Sequence, residues 1–262
     1  MRDVRRSLVL VLLLATLATA AEPRLVALLD DGSLVVFRPN ESTSRTLVPA
    51  GVSAKLVGID RRPADGRLYG VTGSDVYTLD LATDAATLVS TLTVPFDGDV
   101  RSGVDFTPQL DRLRLVSADG RNLRVNVSLG ATAVDAPLAY AAGDPNAGTR
   151  PRITASAYAN NRPGVATTTL FEIDSGLDVL VIQDPANDGT LKTVGPVGLD
   201  VPDLAGFDIV TDPQGHDTAW SAWTTTLYTI GLATGRATAV GPIPSATRPV
   251  VSLAVLDGDP AE

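Results

Sequence analysis

Residues 58–92 read GIDRRPADGRLYGVTGSDVYTLDLATDAATLVSTL, and the opening of this stretch recurs downstream. Gly58, Asp60, Pro63, Arg67 and Leu68 stand 45 residues before Gly103, Asp105, Pro108, Arg112 and Leu113. A repeat of that length, rich in alternating apolar positions and turn residues, has the size of one four-stranded propeller blade. Within it the pattern predicts strands over 55–60, 67–72, 75–81 and 86–92. Gly-x-Asp-x-x-Pro ends the first, and Ala64-Asp65-Gly66 turns the chain into the second.

Working outward, the next unit repeats the plan as SGVDFTP, RLRLVSADG, NLRVNV and ATAVDA. A polar connection from Tyr140 to Pro151 follows, read as an exposed loop from its Gly, Pro, Asn and Asp content. The fourth unit diverges: ITASAYANN stands where the others read Gly-x-Asp, with Ala157 in the place of the aspartate. The fifth returns to the plan as LAGFDIVTDP, DTAWSAW, TTLYTIGLA and RATAVGPI. On the N-terminal side, RLVALLDDGSLVVFRPN from Arg24 reads as a hairpin, and 44–48 adds a third strand. That first unit is one strand short, and the lone strand VVSLAVL, 250–256, supplies it. The expected fold is therefore all-β, a five-bladed β-propeller closed by pairing of the C-terminal strand with the N-terminal blade, which protects sheet edges. A β-sandwich or a β-helix is the alternative. No segment shows capped helical periodicity.

One hairpin is legible to the residue. In RLRLVSADGRNLRVN, Ala118-Asp119-Gly120 fits a three-residue loop closing on Ser117 and Arg121, with Gly120 left-handed. That register sets Leu115 opposite Leu123, Leu113 opposite Val125 and Arg114 opposite Arg124. The arginine pair wants a counter-anion, for which Asp105 and Asp135 are the candidates.

The chain begins MRDVRR, continues with an uncharged apolar run and reaches Ala18-Thr19-Ala20-Ala21. Basic start, short apolar middle and small residues before a cut make a secretory signal peptide over 1–21, cleaved after Ala20 or Ala21. The propeller domain then covers 22–262, secreted or periplasmic, with no membrane span after cleavage; the apolar run is too short to cross a bilayer comfortably. The sequence holds no cysteine, so stability rests on the core alone. Losing 1–21 removes three basic residues and one acidic, leaving 18 basic against 29 acidic residues, a net charge of −11 with His216 neutral. Such a surface repels phosphate backbones and argues against nucleic acid as a partner.

The run GVDFTPQLDRLRLVSADGRNLRVNVSLGATAVD, followed by AYANN, TTTLFEID and LDVLVIQDPANDGTLKTVG, resembles the bacterial domain-of-unknown-function family 4394, a set of exported β-propeller-like proteins. The resemblance covers nearly the whole mature chain. It implies the propeller fold and export, and it transfers no activity, cofactor or catalytic residue.

Common catalytic motifs are missing: no Gly-x-Ser-x-Gly elbow, phosphate loop, dinucleotide fingerprint or His-Glu-x-x-His pair occurs. The single histidine, His216, lies in a loop and reads as a solvated side chain. Asp60, Asp105 and Asp208 fall at equivalent positions near the ends of the innermost strands. They are ligand-binding candidates if they converge at the channel mouth, where they would hold a cation or work on a glycosidic bond. The simpler expectation is that each caps its own turn. Arg114 and Arg124 are candidates for gripping an anionic ligand, set against pairing with a blade aspartate. Acidic pairs such as Asp30-Asp31-Gly32 and Asp97-Gly98-Asp99 lack the spaced ligands of a calcium loop and read as turns. Trp220 and Trp223, three apart on a strand, face opposite sides and are assigned to blade packing. The sequence thus predicts a non-catalytic module that binds an extracytoplasmic ligand or protein, with no metal or cofactor assigned. The alternative is a carbohydrate-active hydrolase or lyase using acidic residues at the channel mouth.

Overall fold

Alternating apolar residues pair across short turns throughout residues 22–256, the part of the chain that the computed structural model describes; the expected signal peptide lies outside it. Arg24–Leu29 (β1), Leu34–Phe37 (β2) and Ser44–Leu47 (β3) run antiparallel. The second blade is Gly58–Arg61 (β4), Leu68–Val71 (β5), Asp75–Asp80 (β6) and Ala85–Thr91 (β7). The third is Ser102–Thr107 (β8), Arg112–Ser117 (β9), Asn122–Asn126 (β10) and Ala131–Val134 (β11). The fourth comprises Ala139–Tyr140 (β12), Ile153–Tyr158 (β13), Leu170–Asp174 (β14), Val179–Gln183 (β15) and Thr190–Pro196 (β16). The fifth is Ala205–Thr211 (β17), Asp217–Trp223 (β18), Thr226–Ile230 (β19) and Ala237–Pro242 (β20). Val250–Leu256 (β21) then pairs antiparallel with β1, Leu25 opposite Val255 and Ala27 opposite Leu253. The first blade therefore runs β21-β1-β2-β3, and both ends of the described chain share one sheet.

The innermost strands β4, β8, β13, β17 and β21 pack side by side in that order and close back on β4. Glycine in Gly-x-Asp serves this close approach. A Cβ on Gly206 would sit 2.6 Å from the Leu253 backbone nitrogen, and one on Gly103 would sit 2.7 Å from that of Ser156. Where β21 carries Ser252 in that place, its hydroxyl both receives from the Ile59 N–H and donates to the Ile59 carbonyl, each at 3.1 Å. The seams between blades hold five apolar clusters, one per seam. Trp220 and Trp223 pack into different seams, and Trp223 stacks on Tyr228 at 3.9 Å between centroids.

The hairpin read from sequence is found as expected. Leu115 opposes Leu123, Leu113 opposes Val125 and Arg114 opposes Arg124, with Gly120 at φ 93°. One strand was not foreseen. Ala139 and Tyr140, the latter at the start of the stretch read as loop, pair in parallel with Thr190 and Leu191, making the fourth blade five-stranded. Two residues are too few to show a period, and β12 is fixed instead by the buried Tyr140, whose hydroxyl donates to Asp174 Oδ2 at 2.6 Å. Among the described residues the one helical element is a 3₁₀ turn, Ala186–Asp188, and no helix is long and apolar enough to cross a membrane.

Candidate functional site

The Gly-x-Asp repeat places Asp60 and Asp105 near the C-terminal ends of β4 and β8 and Asp208 at the middle of β17, all on innermost strands. The ring brings them together: one carboxylate oxygen from each lies within 4.8 Å of the other two, and all three side chains are buried. None of them simply caps its own turn. Asp60 Oδ1 accepts from the Arg61 N–H at 2.6 Å, and Oδ2 accepts from the Phe106 N–H of the next blade at 2.7 Å. Asp208 does the same with the Ile209 N–H (2.6 Å) and the Val255 N–H of the next blade (2.5 Å). Asp105 faces the equivalent amide, that of Tyr158, whose N–H lowers its pKa from outside good hydrogen-bond geometry, so neither oxygen has a well-formed hydrogen bond. The donors follow Asp105, Ala157 and Ala254 in sequence, so these residues occupy equivalent places, and Ala157 and Ala254 complete the five positions of the ring. Burial first, and then the charge of Asp208, hold Asp60 well above the usual carboxylate range. Burial, Asp60 and Asp208 do the same to Asp105.

Arg114 and Arg124 lie on the neighbouring strands β9 and β10, and the counter-anion proves to be Asp135. Its Oδ2 accepts from Arg114 Nη1 (2.6 Å) and Arg124 Nε (2.7 Å), and its Oδ1 accepts from Arg124 Nη2 (2.9 Å). Arg114 also donates to Asn122 Oδ1 at 2.6 Å and to Asn187 Oδ1 at 2.8 Å, so its buried guanidinium is well supplied. The internal pairing expected for these arginines is present, yet both also line a cleft.

That cleft, of 590 Å³, opens between the third and fourth blades. Arg114, Tyr158 and Gln183 are among its buried residues, while Arg112, Arg124, Gln109, Thr168 and Asn187 rise around them. Among the described residues Arg112 donates only to the carbonyls of Leu110 and Asp111, at 3.2 and 2.9 Å. Three guanidinium groups thus gather in one cleft of a protein whose formal net charge is −9. Leu110, 58 % exposed, adds an apolar surface at the rim.

In the same seam β14 carries two acids that sequence reading passed over. Glu172 is fully buried, its carboxyl oxygens have no partner among the described residues, and burial pushes its pKa up to about 8, with Arg114 opposing and Asp174 adding to the rise. Asp174 is satisfied by the Tyr140 hydroxyl and the Gly176 and Leu177 N–H groups. The signal was present in LFEID: Leu170, Glu172 and Asp174 share one face of a strand, so either that face is wet or the seam it meets is polar. His216, by contrast, is 79 % exposed in its loop and contacts Asp212 Oδ2 at 3.0 Å, away from the cleft.

The model of a domain of unknown function, DUF4394, matches residues 33–254. The chain belongs to the DUF4394 family. No curated protein matches this DUF4394 chain. Among solved structures, a structural genomics protein of unknown function from Bacteroides thetaiotaomicron VPI-5482 is similar at 14 % identity with a TM-score of 0.51, over 89 % of this chain and 62 % of that one. The chain therefore spans less than two thirds of that protein's length, and the likeness shows the fold alone. A protein of unknown function from Bacteroides caccae matches at 10 % identity and TM-score 0.44, covering 84 % of this chain and 73 % of its own. An auxiliary nutrient binding protein from Bacteroides thetaiotaomicron VPI-5482 matches at 13 % identity and TM-score 0.43, covering 75 % and 55 %.

Proposed function

We propose that this DUF4394 protein is an exported, non-catalytic binding module that takes an anionic, hydroxyl-rich ligand, a uronic-acid saccharide being the fitting class, in the cleft between its third and fourth blades. The observation that carries this reading is the set of Arg112, Arg114 and Arg124 around one cleft of an acidic protein. A guanidinium is the side chain that meets a carboxylate in bidentate fashion, and Arg112 still has its charge to offer. Gln109 and Thr168 supply hydroxyl partners, and Leu110 suits the apolar face of a sugar ring. Export rests on the basic, apolar and small-residue order of residues 1–21.

The alternative, a hydrolase or lyase built on Asp60, Asp105 and Asp208, asks those carboxyls to reach a glycosidic oxygen. At 1, 1 and 2 % exposure they have no solvent face to offer one. Calorimetric titration with uronic-acid oligosaccharides and their neutral counterparts tests the binding reading. Acidic oligosaccharides are expected to bind, with affinity falling as salt rises, and Arg112→Ala is expected to weaken them by about tenfold, the scale of one charged hydrogen bond. Equal binding of neutral and acidic saccharides, or binding indifferent to Arg112, would overturn it. Mass measurement of the protein recovered outside the cell checks the cut near Ala20.

A further inference from the structure

We infer that Asp60, Asp105 and Asp208 hold one divalent, oxygen-seeking cation of the calcium type at the hub of the propeller. This does not depend on the cleft or on its ligand. No metal follows from the sequence, because spacing along the chain does not say whether inner-strand aspartates point to a common centre. In space they do, with one oxygen from each within 4.8 Å of the others. An equilateral set that wide puts its centre about 2.8 Å from each oxygen, so a slight contraction reaches the roughly 2.3–2.6 Å of Ca²⁺–oxygen bonds. All three donors are hard carboxylates and no sulfur or imidazole joins them, which selects calcium-like ions over zinc or copper.

Convergence alone would not make a site. The deciding observation is Asp105: it is 1 % exposed, and neither of its oxygens has a hydrogen-bond partner. Its two neighbours each receive two backbone N–H bonds. Asp105 thus faces two further carboxylates with no hydrogen bond of its own, and a buried polar group left in that state is costly. A cation at the centre removes the deficit at Asp105 and the repulsion among the three together. The bonds already accepted by Asp60 and Asp208 do not stand in the way, since each carboxylate oxygen carries a second lone pair. Alanine at the two remaining places, Ala157 and Ala254, adds no further charge and leaves that side of the hub for water ligands, which hard cations keep readily.

The test uses purified protein stripped with a chelator and then titrated with CaCl₂. Equilibrium dialysis should find one ion bound tightly, and the thermal midpoint should rise on the order of 5–10 °C at a hundredfold excess over Kd. Asp105→Asn should abolish both responses while unfolding in chelator no earlier than wild type, because it removes a buried like charge. Terbium luminescence on the unaltered protein, displaced by CaCl₂, gives a readout that needs no variant. A wild-type midpoint and terbium signal indifferent to CaCl₂, or an Asp105→Asn protein that keeps the ion at unchanged affinity, would overturn the assignment.

Discussion

One face of the third blade presents Val104, Phe106, Leu113, Leu115, Leu123 and Val125 to the second blade, where they join Tyr69, Val71, Val76 and Phe96 in a dry cluster. Its other face presents Arg114 and Val116 to the fourth blade. There the apolar cluster shrinks to Val116, Leu138, Tyr140, Ile153, Val181 and Leu191, and Arg114, Asp135, Tyr158, Glu172 and Gln183 share the space. Both faces alternate along the same three strands, so the difference is written in every second residue of β8, β9 and β10. A propeller needs each seam to hold, but it does not need each to hold by the same means. The dry seam is what a repeat requires. The polar seam opens the cleft, and it is where the buried groups that ask for a further partner gather.

The sharpest way to break this comparison is to delete the anion of the polar seam. Asp135→Ala leaves Arg114, whose side chain is 3 % exposed, without its carboxylate. Breaking a buried pair from one side is expected to lower stability by about 4 kcal/mol, read from urea unfolding. A loss below about 1 kcal/mol would mean that water enters the seam and solvates the guanidinium, and that the two seams differ less than their residues suggest.

Next in size is a cavity in the dry seam. Leu115 is fully buried between the second and third blades, and Leu115→Ala should cost about 3 kcal/mol. The comparison is sharpened by what else changes. Leu115→Ala should leave saccharide binding within twofold of wild type once the protein is folded, whereas Arg112→Ala should do the reverse, holding stability within about 0.5 kcal/mol while binding falls. Paired unfolding and calorimetry on the two variants separates the roles.

These seams were not equally legible before the structure. Gly-x-Asp-x-x-Pro at a fixed interval exposed the ring, and the Ala118-Asp119-Gly120 loop exposed the register, because both are local: a left-handed glycine and a period of two fix the pairing without knowledge of the neighbours. Asp135 was within reach for the same reason, lying just past the end of the strand that pairs with Arg124. The hub was only half legible. Equivalent positions followed from the repeat, but the direction in which Asp60, Asp105 and Asp208 point is set by packing among five strands distant in sequence. Glu172 and the cleft were missed because a cleft between blades belongs to two units at once and leaves no period in either. The strand at Ala139–Tyr140 escaped because its cause, the Tyr140 bond to Asp174, spans 34 residues.

The smallest expected effect is the most specific to the polar seam. Burial raises Glu172 to about 8 in the folded protein, against 4.5 for the free side chain, and the charged and titratable groups set against it are Arg114, Asp174, Tyr140 and Tyr158. Below the unfolded value both states hold the proton, and the contribution to stability is complete. Between the two values the unfolded chain releases the proton while the folded chain keeps it, so stability falls as pH rises, and above the folded value the contribution is gone. Glu172→Gln carries an amide that does not titrate. The stability of wild type relative to this variant should therefore decline by roughly 1 kcal/mol per pH unit between pH 5 and 8. Because other buried acids contribute equally to both proteins, the difference isolates Glu172. Urea midpoints at four pH values suffice to measure it. Parallel curves would show that Arg114 keeps the carboxylate ionised, making the seam an ion-pair network throughout; a wild-type curve that falls away from that of Glu172→Gln as pH rises places a neutral acid beneath the arginines, where it adds no negative charge to the cleft.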